Sequence, residues 1–267
     1  MVGASIGLTF ALSLVISPPL AKAFGVDGLF FLTGVLAVLA ILVVKFVVPD
    51  ASASPETESD TRSTSVRWQR VFFDPQLVRL NIAIFALHAV LTGIFIVVPT
   101  RLIEMKLPAV EHWHIYLPAV LVGFLFMGPP IMIGEKKAKT VPILRIVTLL
   151  LCLVLVLFAF LMHSVWEIAF LLALFFMCFN VLEATLPGLI SRSAPKEAKG
   201  LALGIYNTTQ NLGLFVGGAA GGWISQHFNA ETVFIAAAFV MLCSFASATG
   251  LREPVRTIRQ PGDALEV

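Results

Sequence analysis

Eight stretches of the chain contain no Asp, Glu, Lys or Arg, and most are long enough to cross a lipid bilayer. They cover residues 1–21, 28–44, 80–100, 112–134, 146–166, 168–182, 200–230 and 232–251. The hydrocarbon core of a bilayer requires about 20 apolar residues in a helix. The sixth stretch reaches about residue 190 if one acid, Glu183, is tolerated, and the seventh ends in a polar connector, 225–229. The sequence therefore predicts an all-α, polytopic membrane bundle with eight transmembrane helices.

The overall composition agrees with a membrane protein. Hydrophobic residues make up 58% of the chain, charged residues make up 13%, and the mean hydropathy is +0.93. Soluble domains are about 45–50% apolar and about 25% charged, so a soluble enzyme and a disordered chain are both excluded. The net charge of +2 is too small to indicate nucleic acid as a partner.

The basic residues predict how the chain is oriented in the membrane. If residue 1 starts in the cytoplasm, fifteen Lys and Arg residues fall on the inner side, and only Lys22, Arg101 and Lys106 fall outside. Cytoplasmic loops of membrane proteins carry an excess of Lys and Arg. We therefore expect a multi-pass protein of the bacterial inner (plasma) membrane with both termini in the cytoplasm.

One hydrophilic segment interrupts the apolar runs. Residues 50–64 read DASASPETESDTRST and contain no large apolar side chain, which is typical of a flexible linker. We expect residues 50–76 to form a cytoplasmic loop and residues 255–267 to form a cytoplasmic tail. The basic and aromatic piece at 66–70 is either part of the solvated linker or lies on the inner surface of the bilayer.

The two ends of the chain resemble each other. Gly3 and Gly7 in the first apolar run correspond to Gly200 and Gly204 in the seventh, and a proline follows each pair of runs, at Pro49 and at Pro254. Parallel repeats of this kind are common in transporters. Because four further runs precede the second copy, we expect residues 1–49 to be the last two helices of an incomplete N-terminal bundle. Residues 77–254 would then form a complete six-helix C-terminal bundle.

Two segments of the sequence resemble segments of a known protein family. The sequence LEATLPGLISR at 182–192 is followed by KGLALGIYNTTQNLG at 199–213. On these residues the chain is similar to the major facilitator superfamily, in its drug or sugar:proton antiporter branch, from the fifth helix to the twelfth. The resemblance implies a partial major facilitator fold that lacks its N-terminal helices. It also implies proton-coupled secondary transport of a small molecule.

Two further segments resemble signatures of that family. The loop signature with an acid followed by basic residues corresponds to Glu135, Lys136 and Lys139. The antiporter motif of the fifth helix corresponds to a run of small residues that ends at Pro18. The resemblance implies that Glu135, Lys136 and Lys139 form a cytoplasmic loop motif and that Pro18 serves helix packing and conformational change.

Glu183 is the acid that lies within an apolar run rather than at its edge. Charged groups at this depth cost several kcal/mol on insertion scales, and they usually face a cavity or a partner. Asn180 lies one turn earlier on the same helix face, and Pro187 lies one turn later, where it removes a backbone hydrogen bond. Glu183 and Asn180 therefore either lie on a proton or substrate pathway or hold neighbouring helices together.

His88 is the histidine found well inside an apolar run. Asn81 and Thr92 lie on the same helical face. An imidazole changes charge near pH 6.5 and can relay a proton. The alternative is a neutral histidine in the core that is satisfied by a serine or a backbone carbonyl.

The seventh run carries a polar strip and a series of glycines. Asn207, Gln210 and Asn211 share one face, and polar groups in a bilayer must face protein or water. They either bind substrate in a central cavity or bond to adjacent helices. The glycines at 213, 217 and 221 are spaced for close helix contact, and we expect Gly213, Gly217 and Gly221 to serve packing and helix movement.

The leading hypothesis is a secondary transporter that exports a small molecule in exchange for protons by alternating access. Its partners would be the substrate, protons, the lipid bilayer, and either the missing helices or a second copy of the chain. The sequence contains neither HExxH nor GxxxxGK[ST]. We expect the chain to be no enzyme and to hold no metal ion and no cofactor. The alternative is a membrane fragment that does not transport and has a structural or partner-binding role.

The predicted topology can be tested with a cysteine at position 59. In a variant whose native cysteines are replaced by serine, Ser59→Cys should resist a membrane-impermeant maleimide in intact cells and react after the cells are opened. Lys106→Cys in the same background is the outward-facing control, and it should react in intact cells. Labelling of Ser59→Cys from outside would overturn the orientation.

Overall fold

The computed structural model describes residues 2–47 and 68–254, and in this part of the chain the ordered elements are helices without any strand. The α-helices are α1 (Val2–Phe46), α2 (Trp68–Phe72), α3 (Pro75–Glu104), α4 (Trp113–Lys136), α5 (Thr140–Phe160), α6 (Val165–Ser193), α7 (Lys199–His227) and α8 (Ala230–Ala248). Short 3₁₀ turns at Ala109–Glu111 and Lys196–Ala198 precede α4 and α7.

Six of the eight predicted membrane spans correspond to helices with the length and hydropathy of a membrane span. Six segments among the described residues are long and apolar enough to cross a bilayer: Pro19–Phe46, Pro75–Glu104, Ala109–Lys136, Thr140–Phe160, Val165–Ser193 and Ala230–Ala248. Helix α7 has 29 residues and a length of about 44 Å, which also exceeds a bilayer core of about 30 Å. Its many glycines and its polar strip lower its hydropathy. The all-helical membrane fold predicted from the sequence is confirmed.

Helix α1 contains the first two predicted spans, separated by a break at Gly25. The backbone of Gly25 has φ 70° and ψ 178°, a conformation that glycine adopts without steric cost. Beyond the break the side chains are exposed, and Phe30 and Phe31 are 74% and 75% accessible. The side chain of Pro18, which the sequence suggested for conformational change, lies outside the described residues.

Helices α3 to α8 form one bundle with a shared apolar core. Helix α3 packs along α7 and α8, α4 packs along α6, and α5 packs against both α6 and α8. The rings of Phe158 and Phe234 stack with centroids 4.9 Å apart and join α5 to α8. On α6, Phe175 and Phe176 are almost fully buried. This bundle fixes the positions of the polar residues described below.

The C-terminal segment after α8 ties three helices together at one end of the bundle. The Glu253 carboxylate accepts hydrogen bonds from the backbone N–H groups of Thr140 and Val141, at 3.0 and 2.8 Å, and so caps the start of α5. In return, the Arg145 guanidinium donates to carbonyl oxygens at the end of α8, including Ala248 O at 2.9 Å. The side-chain amide of Gln76 donates to the Arg252 carbonyl oxygen and accepts a hydrogen bond from the Arg252 N–H group. These two bonds connect α3 to the same C-terminal segment.

Glycines allow α7 to approach α3 closely. A Cβ atom added to Gly213 would lie 2.5 Å from the Phe85 carbonyl oxygen, and one added to Gly217 would overlap the backbone of Ala89. Gly221 is also buried, and its added Cβ would lie 3.3 Å from the Cα of Gly93. The predicted glycine face of α7 is therefore the face in contact with α3.

A matched pair of substitutions tests this contact. Gly217→Ala should lower the free energy of unfolding by about 1–3 kcal/mol relative to Gly218→Ala, because only the first methyl group meets the backbone of α3. Both changes give the helix the same gain in intrinsic propensity. Thermal unfolding of the full 267-residue chain in detergent measures the difference. Equal melting temperatures for the two variants would contradict the packing.

Candidate functional site

Three helices bring His88, Gln210 and Glu183 together near the middle of the bundle. His88 lies on α3, Glu183 on α6 and Gln210 on α7. The side chains of His88 and Glu183 are only 6% and 12% exposed, and Gln210 is half-buried. We call these three residues the polar triad.

The Gln210 side-chain amide lies between the other two members of the polar triad. Its Nε2 atom is 2.7 Å from Nε2 of His88 and donates a longer hydrogen bond, 3.4 Å, to Oε1 of Glu183. In this arrangement the amide nitrogen is the donor, so Nε2 of His88 is the acceptor. The imidazole proton then lies on Nδ1, which donates to the Ile84 carbonyl oxygen at 3.2 Å. The geometry is that of a neutral histidine.

The carboxyl group of Glu183 retains unused hydrogen-bonding capacity. Its Oε2 atom is buried and has no hydrogen-bond partner among the described residues, although Nε2 of His88 is 3.7 Å away. Burial of an unpaired ion is costly, because the charged form loses its hydration. The charge states of His88 and Glu183 are therefore linked, and a proton on one of them changes what the other can bind.

Other polar atoms that are buried and unsatisfied occur on the helices of the polar triad and on α4. Within the described residues, Asn81 Oδ1, Tyr116 Oη, Asn180 Nδ2 and Tyr206 Oη all lack a hydrogen-bond partner. Buried polar atoms in proteins are normally satisfied by protein or by ordered water. At these atoms an ordered water molecule or a polar group of a ligand would supply the missing hydrogen bond.

Tyr206 is a residue of the site that the sequence analysis missed. It lies one turn before Gln210 on α7, it is 2% exposed, and its buried hydroxyl group has no hydrogen-bond partner among the described residues. The signal was present in the sequence, since residues four apart on a helix share a face. The polar strip predicted on that face contained amide side chains and left out the phenol.

The three amides predicted as one strip on α7 separate in the structure. Gln210 turns into the bundle and joins the polar triad, whereas Asn207 and Asn211 are exposed. The Asn211 side-chain amide donates to the Asn207 carbonyl oxygen at 2.8 Å. A second exposed hydroxyl on this side, Thr208 Oγ1, donates to Gly204 O at 3.0 Å. The exposed face of α7 therefore carries polar side chains in the first half of the helix.

Asn180 faces α4 rather than the polar triad. A Cβ atom added to Gly123 of α4 would lie 2.8 Å from Asn180 Nδ2, so the absence of a side chain at Gly123 makes room for the amide. Pro187 lies within α6, which continues as a helix to Ser193. Thr92, the other predicted neighbour of His88, donates its hydroxyl group back to the carbonyl oxygen of His88 at 3.1 Å.

The residues that resemble the family's loop signature lie at helix ends. Glu135 and Lys136 end α4, and Lys139 immediately precedes α5. Glu135 lines a cavity of about 280 Å³ together with Arg192 and Ser191 from the end of α6. This cavity lies toward the ends of the helices, whereas the polar triad lies at their middle.

The described residues hold no cluster of three or more His, Cys, Asp or Glu side chains that would suit a metal ion. The polar triad offers one imidazole and one carboxyl group, bridged by an amide. The imidazole and the carboxyl group can exchange a proton, and all three side chains can form hydrogen bonds within the apolar interior.

Comparison with known proteins places the chain in a family. The sequence profile of the Major Facilitator Superfamily matches residues 1–182 and 140–265. The inner membrane transport protein YajR of Escherichia coli (strain K12) is 32% identical over 253 residues, which is 95% of this chain and 56% of the relative.

Two further relatives come from Buchnera aphidicola. An uncharacterized transporter of subspecies Baizongia pistaciae is 28% identical over 236 residues, covering 86% of this chain and 59% of the relative. Another, from subspecies Schizaphis graminum, is 27% identical over 246 residues, covering 92% and 63%. The chain thus spans a little more than half the length of these relatives. Together with the matched profile and the helical membrane fold, these findings show that the chain belongs to the major facilitator superfamily of membrane transporters.

Proposed function

We propose that this chain is part of a secondary active transporter in which the polar triad carries the coupling proton. The observation that carries the proposal is the Gln210 amide placed between a buried imidazole and a buried carboxyl group that has a free oxygen. Ionisable residues inside membrane helices usually belong to ion or substrate pathways. The relatives, whose names describe transporters, support the same class of function.

The proton would switch the hydrogen bonds of the triad between two arrangements. With His88 neutral, its Nε2 atom accepts from Gln210, as in the structure. A proton on Nε2 makes that nitrogen a donor, and it can no longer accept from the amide. Oε2 of Glu183, 3.7 Å away, is then available as an acceptor. A change in protonation therefore changes which helices are bonded, α3 to α7 or α3 to α6.

The substrate would contact the exposed polar face of α7. Asn207 and Asn211 lie there, on the side of the helix that no other described element covers at those positions. Amide side chains can donate and accept hydrogen bonds, which suits a small molecule with hydroxyl or amide groups. A transporter of this design would export the molecule from the bacterial cell in exchange for protons.

Alternating access would come from relative movement of two helical bundles around these residues. In this proposal residues 77–254 form the C-terminal bundle, and residues 1–49 contribute two helices to its N-terminal counterpart. Residues 50–76 link the two bundles in the cytoplasm, and residues 255–267 form a cytoplasmic tail. The glycine contact between α7 and α3, and Pro187 in α6, would permit adjustment of the helices during the movement. The remaining wall would be supplied by the additional length that the relatives possess, or by a second copy of the chain.

Replacing one carboxyl group tests the proposal. Glu183→Gln, in the transporter with both bundles present, keeps the side chain's size and hydrogen bonds but cannot exchange a proton. Proton-driven transport in inverted vesicles should fall at least about tenfold, since a well-placed proton-transfer group contributes on the order of 10²-fold or more to a reaction step. Exchange of substrate for substrate, which needs no net proton movement, should be retained.

The transported molecule would first be identified by screening sugars and lipophilic drugs against the unaltered protein. Glu111→Gln is the matched control, because Glu111 is exposed in the turn before α4. It should transport at the normal rate. A normal rate and an unchanged pH dependence in Glu183→Gln would show that Glu183 only holds helices together. A chain with both bundles that moves none of the screened molecules would favour the non-transporting alternative.

A further inference from the structure

Helix α2 and the residue that follows it present three aromatic rings away from the bundle. Trp68, Phe72 and Phe73 are 57%, 46% and 67% exposed, although they lie within six residues of one another. Their rings form a chain of edge-to-face pairs, with centroids 6.1 Å apart for Trp68 and Phe72 and 5.1 Å apart for Phe72 and Phe73. An exposed aromatic cluster of this kind marks a surface that another apolar phase covers.

One buried residue fixes the orientation of α2. Val71 is only 1% exposed, and the helix packs against α7 and the start of α3. While Val71 stays buried, α2 cannot rotate to bring its aromatic rings into the bundle. The cluster is held outward by the same contact that attaches α2 to the bundle.

The position of α2 relative to α3 sets its depth. Asp74 follows Phe73 directly and caps α3, accepting from the N–H groups of Gln76 and Leu77 at 2.9 and 3.0 Å. Membrane-spanning helix α3 begins at Pro75. The rings therefore immediately precede a helix that is long and apolar enough to cross a bilayer, and at such a position we expect them near the membrane surface. Tryptophan and other amphipathic aromatic residues are enriched at this level, because the ring is apolar and the indole N–H remains near water.

Positive charge at the same level favours a lipid surface as the occupant. Arg70 is exposed on α2, and Lys196 and Lys199 are exposed where α7 begins. One exposed acid, Glu197, lies between the two lysines, so these exposed groups carry a net positive charge. Acidic headgroups in the inner leaflet attract basic side chains near the membrane surface. A hydrophobic partner protein would account for the rings but not for the surrounding cations.

We propose that α2 is an interfacial anchor, with the rings of Trp68, Phe72 and Phe73 inserted among lipid headgroups of the cytoplasmic leaflet and Arg70 bound to acidic headgroups. The anchor fixes the level at which α3 enters the bilayer. It depends on the chain spanning a membrane and is independent of the proton chemistry of the polar triad.

Tryptophan fluorescence tests the anchor in the full chain. The protein is reconstituted into vesicles of phosphatidylcholine and phosphatidylglycerol, and the signal of Trp68 is obtained as the difference between the unaltered chain and Trp68→Phe. A variant that retains only Trp68, with Trp113, Trp166 and Trp223 changed to phenylalanine, provides a second measurement of the same signal. The quenchers are acrylamide in water and lipids brominated near the headgroup end of their chains.

We expect Trp68 to lose most of its emission to the brominated lipid and to be largely protected from acrylamide, as for a ring in the headgroup region. Strong quenching by acrylamide with little quenching by the lipid would place α2 in water and overturn the proposal. Protection from both quenchers would show that protein covers the rings and would also overturn it.

The role of charge is tested separately with Arg70→Gln. Raising the phosphatidylglycerol content should increase quenching of Trp68 by the brominated lipid in the unaltered chain, and this increase should be lost in Arg70→Gln. Gln69→Ala, an exposed neighbour on the same helix, is the control and should keep the full increase. Equal dependence on acidic lipid in Arg70→Gln and Gln69→Ala would remove Arg70 from the proposed contact.

Discussion

The close approach of α7 to α3 is the packing constraint on which the candidate site depends. Gly213 lies against Phe85 and Gly217 lies against Ala89, and these two contacts define the register at which the helices pack in this structure. At that register Gln210, one turn before Gly213, reaches His88, which lies between Phe85 and Ala89 on α3. A side chain at either glycine would separate the helices and remove the shortest contact of the polar triad.

The apolar membrane interior makes the contact between Gln210 and His88 important for the stability of the bundle. Within a bilayer a polar side chain cannot turn to water, and it must be satisfied inside the bundle. Helix α6 adds Glu183 to the pair formed by α3 and α7, with one oxygen left unsatisfied among the described residues. A third helix is therefore linked to the first two through a group that can gain or lose a proton. In our proposal, this linkage couples protonation to helix movement.

The membrane-spanning helices were predicted from the charge-free runs, because charged side chains are costly in a bilayer. The packing face of α7 was predicted from the spacing of its glycines, because small residues allow close contact between helices. The same patterns gave Glu183, His88 and Gln210 as individual candidates. Their mutual contact did not follow, since residues on three helices meet only when the packing register is known. The sequence also grouped Asn207 and Asn211 with Gln210, but one helical face is wide enough for Gln210 to turn inward while the other two remain exposed. Tyr206 was overlooked because a tyrosine in an apolar helix resembles an ordinary core residue.

Infrared difference spectroscopy tests most directly whether the buried carboxyl group exchanges a proton. Spectra of the lipid-reconstituted chain would be compared at acidic and alkaline pH, where a protonated carboxyl group shows a C=O band that its ionised form lacks. Our account predicts a band that disappears as the pH rises, is absent in Glu183→Gln and shifts in His88→Gln, because the two groups share the Gln210 amide. A spectrum of Glu183→Gln identical to that of the unaltered chain would contradict the account.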